Sequence, residues 1–512
     1  MIINRKKNAI NGTLSGVVLK ILQIIFPFAI RTIFINTLGI QYLGLNSLFT
    51  AVLQVLNLAE LGVSSALVFS MYKPIAEDDK EKMCQLMNLY RLYYRVIGLV
   101  IFVVGLVLIP FIPKLIKGTV PSDINIYIIY LMNLSATVLS YWLFAYRNSL
   151  FTAHQRNDVI SIITICVNLV MYAVQIAMLV VFRNYYLYLT INISGQVLIN
   201  IVTAIASKKY FPEYGPKGIL PIEEHKIISK KVRDLFTAKI GAVINNSADS
   251  LVISSFLGLE LLAVYQNYYY IISALMAMFN IFFAACNAGI GNSLVVRKEE
   301  DNRKLLYNIN YIVFIAINFC CCCLVNLYQP FMQKWVGQDY MLNFSFVILF
   351  AVYLYAEEAP RTLIVFKDAG GIWKEDRFRP LLSAGVNLIL NLILTQYIGL
   401  YGIILSTIFA LMFVSYPWLI MNINKRLFPI GIKKYITRII CYSMVIAMNV
   451  LITYTICRHI LFGNVWLTLV IRLLLCTVIA NISFILVFFK TDENKYVLEM
   501  KEAFKKKVKI RR

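Results

Sequence analysis

Apolar residues in this chain run in stretches of about twenty, broken by short polar segments, and the pattern repeats from one end to the other. A helix of that length spans the roughly 30 Å hydrocarbon layer of a bilayer. The runs predict fourteen spans, at 10–37, 43–71, 94–116, 124–148, 159–182, 186–207, 236–257, 262–293, 306–328, 343–366, 380–397, 400–422, 436–457 and 464–489. Arg5, Lys6 and Lys7 precede the first run in the manner of a signal peptide. That run is too long, however, and shows no small-residue cleavage site.

Composition agrees with the pattern. The 512 residues are 60% hydrophobic and 15% charged, against roughly 45–50% and about 25% in soluble domains. The net charge of +23 is distributed with a clear bias. If the N-terminus is cytoplasmic, 40 of the 49 Lys and Arg fall in cytoplasmic segments and 5 in outer loops. Basic residues resist translocation, so both termini are expected inside. Charge dispersed over many loops, not gathered on one folded face, argues against a nucleic-acid partner. The tail Lys505 to Arg512 is expected to lie on anionic membrane lipid. Cys320 to Cys323 are consecutive, point about 100° apart, and cannot converge on a metal ion. Three scattered histidines add no ligand pattern, and no metal or cofactor is expected. No loop is long enough for a catalytic domain and no Gly-rich nucleotide loop occurs, so the reading is of a non-enzyme.

The chain also shows signs of duplication. Leu38-Gly39 joins the first two spans, and Leu257-Gly258 joins the seventh and eighth, six spans later and therefore in the same orientation. This fits a parallel repeat about an axis along the membrane normal. The Pro/Gly/Lys-rich segment from Phe211 to Gly218 reads as a linker between halves.

Polar residues inside the spans mark the candidate site. In the first span Thr13, Gly16, Lys20, Gln23, Pro27 and Arg31 share one helical face. A cation at mid-membrane costs at least about 2.5–3.5 kcal/mol, so this stripe calls for a polar surrounding. In the second span Asn46, Thr50, Asn57, Glu60 and Ser64 are expected on one face. Asn245 and Asp249 share a face in the seventh, and Asn280 lies in the eighth. In the tenth, Glu357 and Glu358 stand one turn before Arg361, a spacing that allows an ion pair. Arg472 in the last span is expected to snorkel.

With these residues in view the chain resembles the Wzx-type polysaccharide repeat-unit flippases of the MOP (multidrug/oligosaccharidyl-lipid/polysaccharide) exporter superfamily. The resemblance is carried by Arg31 to Gly39, Tyr42-Leu43-Gly44-Leu45, Glu60-Leu61-Gly62-Val63 and Tyr72 to Glu77. Further matches are Asp249 before Leu257-Gly258, Ala369 to Trp373, Arg379-Pro380, Asn387-Leu388 and Gly399 to Ile403. It implies an all-α membrane protein with two six-helix lobes around a central cavity, plus a C-terminal helix pair. On this chain that gives lobes at 1–210 and 236–425, a linker at 211–235, the pair at 426–490 and a basic tail at 491–512. It implies export of undecaprenyl-diphosphate-linked oligosaccharide across a bacterial cytoplasmic membrane, with a polysaccharide polymerase and chain-length machinery as candidate partners. The cavity set is then Lys20, Gln23, Arg31, Asn57, Glu60, Asn245, Asp249, Asn280, Glu358 and Arg361. Flipping of a peptidoglycan or teichoic-acid precursor, and multidrug or cation antiport, are the alternatives.

The charge count makes the topology testable. A cysteine placed at 120 or 337 is expected to react with an impermeant thiol reagent in intact cells, and one at 220 or 302 only after permeabilisation; the reverse pattern overturns the orientation.

Overall fold

Backbone buried in hydrocarbon has no water to bond, so a spanning segment must close its hydrogen bonds internally. The computed structural model describes residues 5–499, and every regular element in them is helical. The tail from Lys505 to Arg512 lies outside the described residues. In chain order the helices are α1 (Arg5–Thr37), α2 (Ile40–Leu56), α3 (Val63–Glu77), α4 (Lys80–Leu108), α5 (Ile126–Trp142) and α6 (Asn148–Ala153). Then come α7 (Asn157–Phe182), α8 (Tyr185–Tyr210), α9 (Ile222–Phe256), α10 (Leu259–Val296), α11 (Glu299–Val336) and α12 (Phe344–Glu358). The last six are α13 (Arg361–Ala369), α14 (Arg379–Ile398), α15 (Leu400–Phe409), α16 (Tyr416–Arg426), α17 (Ile432–Cys457) and α18 (Val465–Val487).

Among the described residues, eleven helical stretches are long and apolar enough to cross a membrane, and α5 with α6 makes a twelfth if that 46° bend lies within one span. The expected spans at 236–257 and 343–366 are not among these. The first carries Asn245, Asn246 and Asp249 within α9. The second is cut at Ala359-Pro360 into α12 and α13.

The chain divides into two compact units between Gln266 and Asn267. In the first unit α1 packs along α7, α7 along α8, α4 along α5, and α2 against α9. Both Leu-Gly turns have the same unusual backbone, with φ +107° at Gly39 and +103° at Gly258, a region that favours glycine. They also meet: a Cβ on Gly44 would overlap the carbonyl of Leu259. Beside them Lys117 donates its Nζ proton to the carbonyl of Phe256 at 2.7 Å, placing a cation at the C-terminus of α9.

The segment after α8 is docked, not loose. Asn88 Nδ2 donates to the carbonyl of Gly218 at 2.7 Å, and Lys80 pairs with Glu213 at 2.7 Å. Lys82 pairs with Glu224 at 2.8 Å, and Tyr93 shares a proton with Ser229 at 2.9 Å. His154 lies with its ring 4.3 Å from that of Phe211. Burial holds its imidazole below the ordinary value, which suits an apolar contact. The irregular stretch ends early, since α9 is helical from Ile222.

In the second unit α11 packs against α12, α17 and α18, and α14 against α15. The C-terminal pair is attached by buried polar groups. Asn318 Nδ2 donates to the carbonyl of Ala480 at 2.7 Å, Asn449 Nδ2 to Asn318 Oδ1 at 3.1 Å, and Ser483 Oγ to Asn449 Oδ1 at 2.7 Å. Cys322, Cys457 and Cys476 form a small core beside them. Among the described residues no group of His, Cys, Asp or Glu could hold a metal ion.

Arg472 departs from expectation. It is buried rather than snorkelling. Its Nε and Nη2 donate to the carbonyl of Ile460 at 3.2 and 3.0 Å, and its Nη1 to the carbonyl of Asn326 at 3.1 Å. Pro330 lies four residues after Asn326 inside α11 and has no N–H to offer that carbonyl. Arg472 supplies the missing donor.

At the cytoplasm-predicted loop 370–378, Asp376 is buried. It accepts from Lys367 at 3.1 Å, from Arg379 at 2.8 Å and from Asn422 at 3.3 Å. This gives the motif residue Arg379 a structural role.

Two glycines on the first pair of spans separate packing from propensity. A Cβ on Gly16 meets nothing within 4 Å, so Gly16→Ala is expected to hold or raise the melting temperature of the detergent-purified protein. Gly44→Ala forces α2 from the α10 backbone and is expected to lower it, at a cost of about 1–3 kcal/mol.

Candidate functional site

The first unit is interrupted where the sequence places its polar residues. After Leu56 the chain tightens into a 3₁₀ turn at Asn57–Glu60, and Gly62, at φ +88°, cannot continue a helix. The expected single stripe from Asn46 to Ser64 is therefore not continuous. Gly62 is required by packing as well, because a Cβ there would lie 2.8 Å from the carbonyl of Val232 on α9. In a 3₁₀ turn residues three apart eclipse, which puts Asn57 and Glu60 on one side.

Three tyrosines close on this break. Tyr94 of α4 donates to Glu60 Oε1 at 3.1 Å and lies 3.2 Å from the hydroxyl of Tyr90. Tyr141 of α5 donates to Asn57 Oδ1 at 3.1 Å, with its ring edge-on to Tyr94 at 5.3 Å. A half-buried carboxylate and amide are thus each met by a tyrosine hydroxyl. One turn earlier Gln54 Oε1 accepts from Ser247 of α9 at 3.2 Å. Asn245 and Asp249 are half-buried on α9, and Tyr265 reaches Asp249 at 3.5 Å.

On α1, Lys20 is exposed and Gln23 and Arg31 are half-buried. The exposed apolar residues Leu14, Val18, Ile21 and Ile25 lie roughly opposite the polar stripe. The helix thus shows two accessible sides of different chemistry. Arg31 lies in the field of the Tyr188 phenol, beside the aromatic group of Phe34, Tyr185 and Tyr188.

In the second unit Arg361 does not close an ion pair with Glu358. Its guanidinium donates to Asn280 Oδ1 of α10, uniting two of the expected site residues. Pro360 turns the chain between α12 and α13, so the one-turn spacing from Glu358 to Arg361 does not act as in a continuous helix. Glu358 is fully buried.

The structure therefore joins Asn57 with Glu60, and Asn280 with Arg361, and aligns Lys20, Gln23 and Arg31 along α1. The sequence reading missed Tyr90, Tyr94, Tyr141, Gln54 and Ser247. Tyr90 and Tyr94 stand one helical turn apart at the head of a span, a polar-tipped pair that a search for donors to Glu60 would have raised.

Comparison with known proteins agrees with this architecture. A lipid II flippase MurJ in an inward closed conformation superposes with a TM-score of 0.67 at 15% identity, over 94% of this chain and 99% of that one. An inward-facing multidrug resistance MATE transporter of the MOP superfamily gives 0.61 at 14% identity, over 80% and 98%. A MOP superfamily transporter from Pyrococcus furiosus, described as having a binding pocket of reverse polarity, gives 0.52 at 14%, over 82% and 96%. No curated protein matches the chain in sequence. The sequence profile of the polysaccharide biosynthesis protein family matches residues 9–287, more than half of the chain. With that match over residues 9–287, the chain belongs to the polysaccharide biosynthesis protein family, and its fold is that of the MurJ and MATE structures.

Proposed function

We propose that the protein flips undecaprenyl-diphosphate-linked oligosaccharide repeat units across a bacterial cytoplasmic membrane by alternating access, for assembly of a surface polysaccharide. The observation that carries the reading is the cationic stripe of α1, where Lys20 is exposed on the side away from the exposed apolar residues. An oligosaccharide diphosphate cannot cross hydrocarbon unaided, because its hydroxyls and charges would lose their water. A wetted protein surface removes that cost while the polyprenyl tail stays in lipid. Lys20 and Arg31 stand eleven residues apart, roughly 16 Å along the helix. Two cations at different depths suit a diphosphate held at successive stages of transfer. Arginine offers two parallel hydrogen bonds to phosphate, whereas lysine acts as a point charge.

Sugar hydroxyls would meet Gln23 on the same face, and Asn57 and Glu60 where helix α2 breaks. In the second unit Asn280 and Arg361 form a comparable polar pair. The reading places both termini in the cytoplasm. A polysaccharide polymerase and its chain-length machinery would take the flipped unit on the outer side.

Arg31 gives the direct test. Arg31→Lys is expected to lower surface glycan several-fold, and Arg31→Gln to nearly abolish it, with membrane abundance of the protein unchanged. Normal glycan display by Arg31→Gln defeats the binding role, whereas parallel loss of protein and glycan marks a structural arginine. Supplying a lipid-linked peptidoglycan precursor to reconstituted vesicles, in competition with the repeat unit, discriminates the substrate class.

The acidic residues of the first unit give a second test. Asp249→Asn keeps shape and removes charge. It is expected to flatten the pH dependence of transport, measured in vesicles of defined internal and external pH. Unaltered transport and pH dependence would exclude Asp249 from coupling.

A further inference from the structure

Glu358 is the last residue of α12, and its side chain is 0% exposed. Neither Oε1 nor Oε2 has a hydrogen-bond partner among the described residues. One turn on, past Pro360, Thr362 is likewise 0% exposed and its hydroxyl is without a partner. Pro360 carries no N–H for the carbonyl of Ala356, four residues before it, so this break gathers several oxygens and few donors.

Two charged neighbours bear on Glu358 with opposite effects, the Arg361 guanidinium and the Glu357 carboxyl, and neither is bonded to it. Arg361, the nearest cation in sequence, is turned to Asn280. From α11 the titratable neighbour is the Cys320 thiol, and from α12 itself Glu357 and Tyr355, the latter bonded to Ser443 of α17 at 2.6 Å. On α17 Tyr442 is buried, and Arg438 is held by Glu493 at 2.9 Å. From α10, Tyr269 packs its ring on Tyr353. Helix α15 offers only Tyr401, which bonds Ser345 at the far end of α12. The π turn Ala410–Ser415 beside α12 adds no charged side chain, and Asp339, in the 3₁₀ turn before α12, lies at the opposite end of that helix from Glu358.

A bare carboxylate so placed would forfeit its hydration with no donor in return, a cost of several kcal/mol at the least. The neutral acid loses far less, and it gains an O–H that can donate to an oxygen such as that of Thr362. At the break itself the oxygens are the Glu358 carboxyl, the Thr362 hydroxyl and backbone carbonyls, and no group of three His, Cys, Asp or Glu ligands gathers there among the described residues, so the site suits a single proton better than a divalent ion.

We propose that Glu358 is a proton-binding site built into the break between α12 and α13. It is loaded in the conformation described here and emptied when that break opens to water. The carboxylate oxygen takes one proton from solvent to form the acid and returns it as the group is exposed, with no other bond made or broken. Proton binding is thereby tied to the α12–α13 conformation, and through it to transport. Only this last link rests on the flippase reading.

The test uses the full-length protein in proteoliposomes. Dicyclohexylcarbodiimide, which enters from lipid and reacts with protonated carboxyl groups, is expected to label Glu358 in the wild-type protein at neutral pH, read by peptide mass. The infrared difference between wild type and Glu358→Gln is expected to show loss of one protonated-carboxyl band. Absence of both signals overturns the proposal. Displacement of both by sodium chloride at constant pH also overturns it, assigning the site to a sodium ion instead. In the transport arm, a transmembrane pH gradient is expected to accelerate wild-type flipping and to have no effect on Glu358→Gln. If label and band are present but the wild type moves no lipid-linked sugar, the proton site stands and the flippase reading falls. If flipping is normal and label and band are absent, the reverse holds.

Discussion

The constraint on which this structure depends is that backbone polar groups in hydrocarbon need partners from within the protein. A regular helix meets it unaided, which is why the chain is built from little else. The informative places are those where the helix fails. At Pro330 a carbonyl loses its donor, and a guanidinium arriving from α18 replaces it. At Gly62 the helix stops, and tyrosines from two neighbouring helices hold the polar side chains of the turn. At Pro360 it stops again, and there a carboxyl group and a hydroxyl have no hydrogen-bond partner among the described residues. The first break is a solved structural problem; the other two carry the residues on which a transport mechanism can be argued.

The same accounting explains why charge within the spans is sparse and segregated. Arg472 donates three hydrogen bonds to carbonyls and is consumed in holding helices together. Lys367 and Arg379 converge on Asp376 near a loop. These groups have partners that account for their presence, whereas the exposed Lys20 on α1 shows no such partner among the described residues. A cation left accessible on the polar stripe of a helix whose other side is apolar is the feature that a polar, anionic cargo would explain. Arg31 is half-buried instead, close enough for its charge to act on the Tyr188 phenol.

Much of this was legible in the sequence because hydrophobic length and the bias of basic residues are one-dimensional signals. The all-helical membrane fold and most span positions followed from them, and the family from the order and spacing of short motifs along the chain. The Leu-Gly turns were readable too, since only glycine sits comfortably at their positive φ. What could not be read were contacts between helices distant in the chain. Arg472 looked isolated because its partners, Ile460 and Asn326, are carbonyls, which no side-chain pattern reveals. The polar face of the second span was drawn on an unbroken helix, and a glycine acting as a helix breaker was weighed only as a motif residue. Glu358 and Arg361 were spaced for an ion pair, but the intervening proline redirected one of them toward α10. Polar residues on a single helix could thus be grouped by helical periodicity alone, while those whose setting is made by neighbouring helices were seen without it.

The bond between Arg472 and Asn326 spans 146 residues of sequence. A ribosome adding about 5–20 residues per second needs roughly 7–30 s to make that stretch. For that interval α11 is already synthesised while the donor for its open carbonyl is not. The C-terminal pair is therefore more than an appendage to the transport core: it completes a helix made long before it. During biosynthesis the nascent protein must shelter that polar defect, with lipid headgroups, insertion machinery or a temporary neighbour, until its last helix arrives.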